Sequence, residues 1–286
     1  MTSYTSIDLH IHDGHTATLL VVNTDNGEIL FGANDERYTR VKNQGGFPFK
    51  TLEVAKESIN FANNNIKNVY FSTKTQPFIP IAKKTKLRSL FDFLIWFTPK
   101  GIFKNYFFTN FYIFISSYLR KKQALKDLRK IGLINSKVYF LNHHLCHSFS
   151  VLAFTKCTLK EPVLIFTLDG SGDASSGSIN IFSKRNLINL KKIHSLDSLG
   201  EIYSQMTALL NMKPMEHEFK LMGLAPYCIE EYGLKVYKKL IRKFVKINRD
   251  KKGKVNWESL TGKWGNSLKT ALRKDLKYFR FDAIAS

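Results

Sequence analysis

The sequence is poor in cysteine. Its three, Cys146, Cys157 and Cys228, cannot build a disulfide framework, and no Cys-x-x-Cys pair suggests structural zinc. A long apolar run is also missing. The nearest approach, Asn105 to Leu119, carries no charge, but Asn110, Ser116 and Ser117 interrupt it. It falls short of the roughly 18 apolar residues that a membrane span requires. The opening MTSYTSIDLHIHDGH lacks the basic-then-apolar order of a signal peptide. A reducing, cytoplasmic location is the expectation. Internal repeats and low-complexity linkers are absent, and 44% hydrophobic residues excludes a disordered or collagen-like chain.

Acidic residues are scarce too. Forty-four Lys+Arg stand against 23 Asp+Glu, a net charge of +21 over 286 residues. The surplus sits in two blocks. Lys83 to Lys130 holds twelve Lys/Arg and two Asp (Asp92, Asp127), and Lys235 to Arg280 holds sixteen Lys/Arg and three acids (Asp250, Glu258, Asp275). The remainder is nearly neutral. Such a surplus suggests a nucleic acid, an anionic lipid or a polyanion as partner. Confined to two blocks, it fits a solvated helix face or a surface for a partner protein better than a DNA groove, and no DNA partner is expected. The first block interleaves aromatics with its cations. It reads as two or three inserted helices burying their own aromatics, or alternatively as a patch for a membrane surface.

What is present alternates strand and helix signals. Ser6 to His10, Thr16 to Asn23 and Glu28 to Ala33 read as strands, with a hairpin turn at Asp25-Asn26-Gly27. Leu52, Ala55, Ile59 and Ala62 share a helical face. Further strands are predicted at Lys67 to Ser72, Lys137 to Asn142 and Val163 to Leu168, the last read as buried, with a hairpin over Ser178 to His194. Helices are predicted from His143, from Leu199 to Leu210 and from Leu234 to Phe244. The class is α/β.

Four segments can carry chemistry. His143 and His147 stand four apart at a helix start, so they can share a face and chelate one metal, or simply form a polar helix start. Asp169-Gly170-Ser171-Gly172-Asp173 succeeds a strand; its glycines permit a tight turn facing a phosphate, though an acidic turn would read the same. His12, in His12-Asp13-Gly14, lies at a strand junction as a general base or as a solvated turn histidine. Met222 to Tyr227 reads as a packed apolar loop, with Glu218 and Lys220 just before it.

The order of these pieces carries a resemblance. His12-Asp13-Gly14, DERYTRVK at 35–42 with Gly46-Phe47-Pro48, HHLCH at 143–147, LDGSGD at 168–173, SLGEIYSQMT at 198–207 and EFKLMGLAPY at 218–227 stand as in the O-carbamoyltransferase family. The likeness covers residues 6 to 228, and that family includes the nodulation and antibiotic-tailoring carbamoyltransferases.

The resemblance implies an actin and sugar-kinase-like (ASKHA) fold, similar to the subunit that transfers threonylcarbamoyl to tRNA. It is a mixed sheet flanked by helices with an inserted helical segment. Residues 1–160 would form a first lobe carrying the insertion at about 80–132, and residues 161–286 the start of a second, incomplete lobe. In the family a separate YrdC-like domain makes carbamoyl adenylate from ATP and carbamoyl phosphate. The ASKHA-like domain then passes the carbamoyl group to an alcohol of a sugar or natural product. His143 and His147 match the metal ligands, with iron the divalent metal that the resemblance suggests, and His12 matches the active-site histidine. Asp169 to Asp173 match the nucleotide-phosphate loop, and Lys220 lies in the EYK-MGLAPYG motif.

Ser6 and Cys228 stand where the family has glycine, and Asp282 to Ser286 resemble the start of its DIAAS helix. Members of the family continue past that helix start with an aspartate metal ligand and the YrdC-like domain, and a separate chain is expected to supply both. The alternatives are a catalytically incomplete nucleotide- or partner-binding remnant, or a basic RNA-binding relative of the tRNA-modifying subunit, for which no RNA-recognition motif is present.

Overall fold

The computed structural model describes residues 6–75, 106–133, 135–154, 161–249, 255–259 and 265–286. The chain divides into two compact units, Met1–Ala82 with Phe111–Lys156, and Lys83–Asn110 with Cys157–Ser286. Much of the helical segment expected at 80–132 lies outside the described residues. From Tyr106 to Lys130 it is one continuous helix.

The first unit is built on a five-stranded mixed sheet. Its strands are β1 (Ile7–His12), β2 (Thr18–Asn23), β3 (Ile29–Asn34), β4 (Ile66–Phe71) and β5 (Lys137–Phe140), in the order β3-β2-β1-β4-β5. β1, β2 and β3 are antiparallel neighbours, and β4 and β5 run parallel to β1. The short helix α1 (Glu36–Thr39) and α2 (Phe49–Ile59) come after β3; α3 (Tyr106–Lys130) precedes β5, and α4 (His143–Phe154) comes after it.

Alternation decides the faces. Ile7, Leu9 and Ile11 are buried, and with Leu19, Val21, Val69 and Phe71 they form one core with Leu52 and Ala55 of α2 and Ala124 and Leu128 of α3. Asp8, His10 and His12 take the other face. There His10 stacks on Tyr70 at 4.8 Å, and Tyr70 on Tyr139 at 4.9 Å.

The second unit holds a three-stranded antiparallel sheet of β6 (Val163–Gly172), β7 (Ser175–Ser183) and β8 (Asn186–His194), in that order. Beyond it lie helices α5 (Leu199–Leu209), α6 (Glu218–Leu224), α7 (Glu230–Phe244), α8 (Gly265–Leu276) and α9 (Phe281–Ala285), with a two-stranded ladder of β9 (Val245–Arg249) and β10 (Val255–Ser259). Met206, Leu221, Val236, Phe244, Leu268, Leu272, Leu276 and Ile284 form its core.

Three details differ from expectation. β6 runs on through the DGSG residues, and the tight turn falls at Asp173 and Ala174, both with positive φ, rather than at Gly170 and Gly172. Two such residues joining antiparallel strands match the twist of a hairpin. The run VLIFTL is buried on one face only: Leu164, Phe166 and Leu168 are 53%, 61% and 58% exposed. The segment from Met222 to Tyr227 is not a packed loop. It is the end of α6 and a 3-10 turn, with Met222 and Tyr227 exposed.

Candidate functional site

His12 ends β1, and the chain turns at Asp13-Gly14. Its Nδ1 lies 2.8 Å from the hydroxyl of Ser72, the residue directly after β4, so two adjacent parallel strands fix the ring. The next residue is pinned as firmly. The Asp13 carboxylate accepts two hydrogen bonds from the Arg120 guanidinium of α3, at 2.6 and 2.5 Å, and Arg120 Nε donates to Thr73 Oγ1 at 3.2 Å. Arg120 is 2% exposed, and its guanidinium carbon lies 4.7 Å from the centre of the Phe71 ring. This cation–π contact and the bidentate pair together offset its desolvation.

Gly14 has a steric task. A Cβ at this position would lie 2.6 Å from His12 Nε2, so any side chain would close the space beside that nitrogen. Gly45 is constrained likewise, since its Cβ would fall 2.4 Å from the Gly14 carbonyl oxygen. Gly46 N–H donates to that oxygen, and Ala17 N–H donates to Gln44 O at 2.7 Å. The segment from Asp35 to Pro48 is thereby laid on the His12 turn. Its anchor is buried Asp35, whose carboxylate accepts from Thr51 N–H, Thr51 Oγ1 and Gln44 Nε2.

α4 presents the other two histidines. Asn142 Oδ1 accepts from Leu145 N–H at its start, a side-chain cap. His144 and Ser148, four apart, face inward and are buried, which turns His143 and His147 to another face. The Nε2 atoms of His143 and His147 lie 3.1 Å apart. Two imidazole nitrogens converging from i and i+4 suit a divalent metal such as iron, zinc, nickel or copper. His12 joins them, its ring centre 6.3 Å from that of His143.

This crowding sets the charge of His12. Burial first, then the proximity of His15, His143, Arg120 and His147, lowers its pKa to about 4, so it is neutral at pH 7. Burial pushes the Asp13 carboxyl up, and Arg120 opposes that.

The second unit holds the remaining expected residues. Asp169 Oδ1 accepts from Gly170 N–H at 2.6 Å, and the Asp169 carbonyl accepts from Ser198 Oγ at 3.2 Å. Ser198 also caps α5 by accepting from Glu201 N–H. Gly200 permits this approach: a Cβ there would lie 2.9 Å from both Asp169 O and Gly170 N. The LDGSGD and SLGE motifs are therefore one local structure, a helix start laid against a strand. Ser171 is exposed; Gly172 and Asp173 lead through the turn. Lys220 is exposed on α6, its Nζ 5.9 Å from the Phe219 ring centre.

The structure thus brings together His12, His143 and His147 in the first unit, and Asp169 to Asp173 with Ser198 and Gly200 in the second. Sequence reasoning did not find Ser72, Thr73 or Arg120. The one signal available was Gly14, between Asp13 and His15 and two residues after His12, where a missing side chain marks a crowded turn.

Residues 5–284 match the family described as carbamoyltransferase N-terminus. The chain belongs to this family. Among its relatives is the nodulation protein NolNO of Sinorhizobium fredii, 26% identical over 225 residues, covering 78% of this chain and 29% of that one. An uncharacterized protein of Methanocaldococcus jannaschii is 30% identical over 220 residues, covering 77% of this chain and 33% of that one. The chain therefore spans about a third of the length of those relatives. A solved structure, YeaZ from Pseudomonas aeruginosa, aligns at a TM-score of 0.31 and 7% identity, over 65% of this chain and 64% of that one. Among the described residues no helix is long and apolar enough to cross a membrane.

Proposed function

We propose that this chain is the acceptor-side segment of a carbamoyltransferase, moving a carbamoyl group from carbamoyl adenylate to the hydroxyl of a sugar or natural product. The observation that carries the reading is the cluster of His12, His143 and His147 at the end of β1, in a chain of the carbamoyltransferase N-terminus family. ATP, carbamoyl phosphate and the adenylate-forming step belong, on this reading, to the region that the relatives carry beyond the shared segment. The ASKHA likeness is part of the same proposal.

His143 and His147 would hold the metal, their Nε2 atoms already converging. A divalent metal bound there supplies Lewis acidity toward a carbonyl or phosphoryl oxygen. The remaining roles fall to side chains. With Nδ1–H donating to Ser72, His12 Nε2 keeps a lone pair, and Gly14 leaves the space before it open. The acceptor hydroxyl binds there and gives its proton to Nε2. Its oxygen forms the new C–O bond, and the bond from the carbamoyl carbon to the adenylate phosphate breaks, releasing AMP. Asp13 and Arg120 hold the turn in place. The start of α5, the DGSGD strand and Lys220 would receive the nucleotide phosphate.

Metal binding tests the first step directly. Equilibrium dialysis with ferrous or zinc ion should load one ion per chain. His143→Ala and His147→Ala should each weaken binding by at least about a hundredfold, since each removes a ligand rather than an outer-shell partner. Unchanged binding in both variants would reject the metal assignment.

A further inference from the structure

α3 is polar where it is buried and apolar where it faces out. Toward the core of the first unit it turns Ser116, Arg120, Ala124 and Asp127, all buried. Arg120 is held by Asp13 and Thr73, and the Asp127 carboxylate accepts from Gln123 and Lys130 at 2.7 and 2.8 Å. Helical spacing sets the opposite side. Phe114, Tyr118, Lys122, Leu125 and Arg129 follow one another at intervals of four, four, three and four, so they form one stripe. Phe114 is 73% exposed and Tyr118 63%, with exposed Ile115 and Leu119 beside them. The expectation that this region buries its own aromatics fails at these two rings.

The stripe changes character along its length. From Phe111 to Leu119 the helix carries no charge, and from there to its end it exposes Lys121, Lys122, Lys126 and Arg129. The single acid of α3, Asp127, is buried and paired with Lys130. A contiguous exposed apolar patch marks a binding surface, and the charge pattern selects what it binds. A single-stranded polynucleotide is gripped by aromatic faces together with cations along one groove. Here the two halves are separate, and Ile115 and Leu119 offer no ring. Two copies of the chain joined through this stripe would set cation on cation or bury cations against the apolar half, and both are costly. An anionic bilayer accepts both halves at once. Aromatic and aliphatic side chains enter the boundary between headgroups and acyl chains, while lysine and arginine lie among the phosphates. Among the described residues no helix is long and apolar enough to cross a bilayer, so α3 would lie on one.

We propose that the outward face of α3 docks the protein on an anionic lipid bilayer. Phe114, Ile115, Tyr118 and Leu119 enter the lipid, and Lys122, Lys126 and Arg129 contact the lipid phosphates. The buried contacts of Arg120 and Asp127 fix which side of the helix is offered, so the face is preformed. The proposal rests on no reading of the carbamoyl reaction.

Co-sedimentation of the full chain with large unilamellar vesicles tests it. The chain should bind vesicles of an equal mixture of phosphatidylglycerol and phosphatidylcholine, and hardly bind phosphatidylcholine alone. The C-terminal basic block also attracts anionic lipid, so the variants decide. Phe114→Ser should weaken the partition at least about tenfold, as one large apolar side chain is lost from the lipid. Lys122→Gln together with Lys126→Gln should weaken it about thirtyfold, at roughly fivefold for each cation. These side chains are exposed, so the thermal midpoint of each variant should match that of the parent chain. Unchanged partition in either variant, or equal binding to the neutral vesicles, would overturn the proposal. So would a dimer, or a bound single-stranded polynucleotide, that Phe114→Ser abolishes, because the face would then belong to that partner.

Discussion

Burial and its cationic or titratable neighbours all disfavour a proton on His12, and this has a consequence outside catalysis. The unfolded chain takes up a proton at the ordinary histidine pKa near 6.5, while the folded chain resists until about pH 4. Between those values the unfolded state binds more protons, so acid favours unfolding and stability rises with pH. In metal-free protein the His12 contribution should amount to about 3 kcal/mol across the window. Half-buried His10 is shifted in the same direction, by burial. Urea unfolding at pH 7 and pH 4.5 should show a smaller loss for His12→Gln than for the parent chain. Equal losses would mean that the folded state tolerates the charge. Gly14→Ala makes the complementary point. Its backbone φ is not positive, so the new methyl brings no backbone strain and acts only on the His12 ring. On the proposed reading of His12 as the base, kcat for carbamoyl transfer should fall by about 10²–10⁴-fold, with the fold intact by circular dichroism.

At the scale of elements, the Arg120–Asp13 pair joins α3 to the β1–β2 turn across 107 residues of sequence. Removing one partner leaves an uncompensated charge in a buried place, which typically costs about 3–5 kcal/mol. Arg120→Met should therefore be strongly destabilising, and Asp13→Asn added to it should recover a large part, as measured by denaturant unfolding of both variants. Recovery is the informative readout, because simple loss of Arg120 packing would not be repaired at position 13. This pair also marks the limit of what the sequence reveals. β1 to β5 were legible because each strand has period-2 burial or a near-continuous apolar run. The convergence of His143 and His147 was legible because i and i+4 is a local relation on one helix. Arg120 was not, since a lysine- and arginine-rich stretch does not show which cation is buried. The DGSGD turn was placed on its glycines, yet Asp173 and Ala174 adopt the left-handed conformations. VLIFTL read as buried because its pattern suits two covered faces, while the structure covers one.

For the molecule as a whole, two separate cores imply two separately responding units. Leu9 and Leu272 are both fully buried, the first among Leu19, Val21 and Phe71, the second among Leu221, Phe244 and Leu276. Either leucine cut to alanine should cost about 2–5 kcal/mol in its own unit. Local stability is read by amide exchange, which tracks the opening of each cooperative unit. Leu9→Ala should speed exchange in β1, β4 and β5 and leave α8 and α9 unchanged, and Leu272→Ala should do the reverse. If either substitution lowered protection equally throughout, the two cores would be one cooperative unit. Charge separates the units by a second route. The block from Lys235 to Arg280 lies wholly in the second unit, whereas the block from Lys83 to Lys130 is divided between the two. Self-repulsion among exposed cations weakens as salt shortens the screening length. Raising salt from about 0.01 to 0.15 M should thus slow exchange in α7 and α8 more than in β1 to β4. An equal response would mean that the cations of the C-terminal helices are already neutralised by their surroundings, and that the net charge of +21 places no strain on this unit.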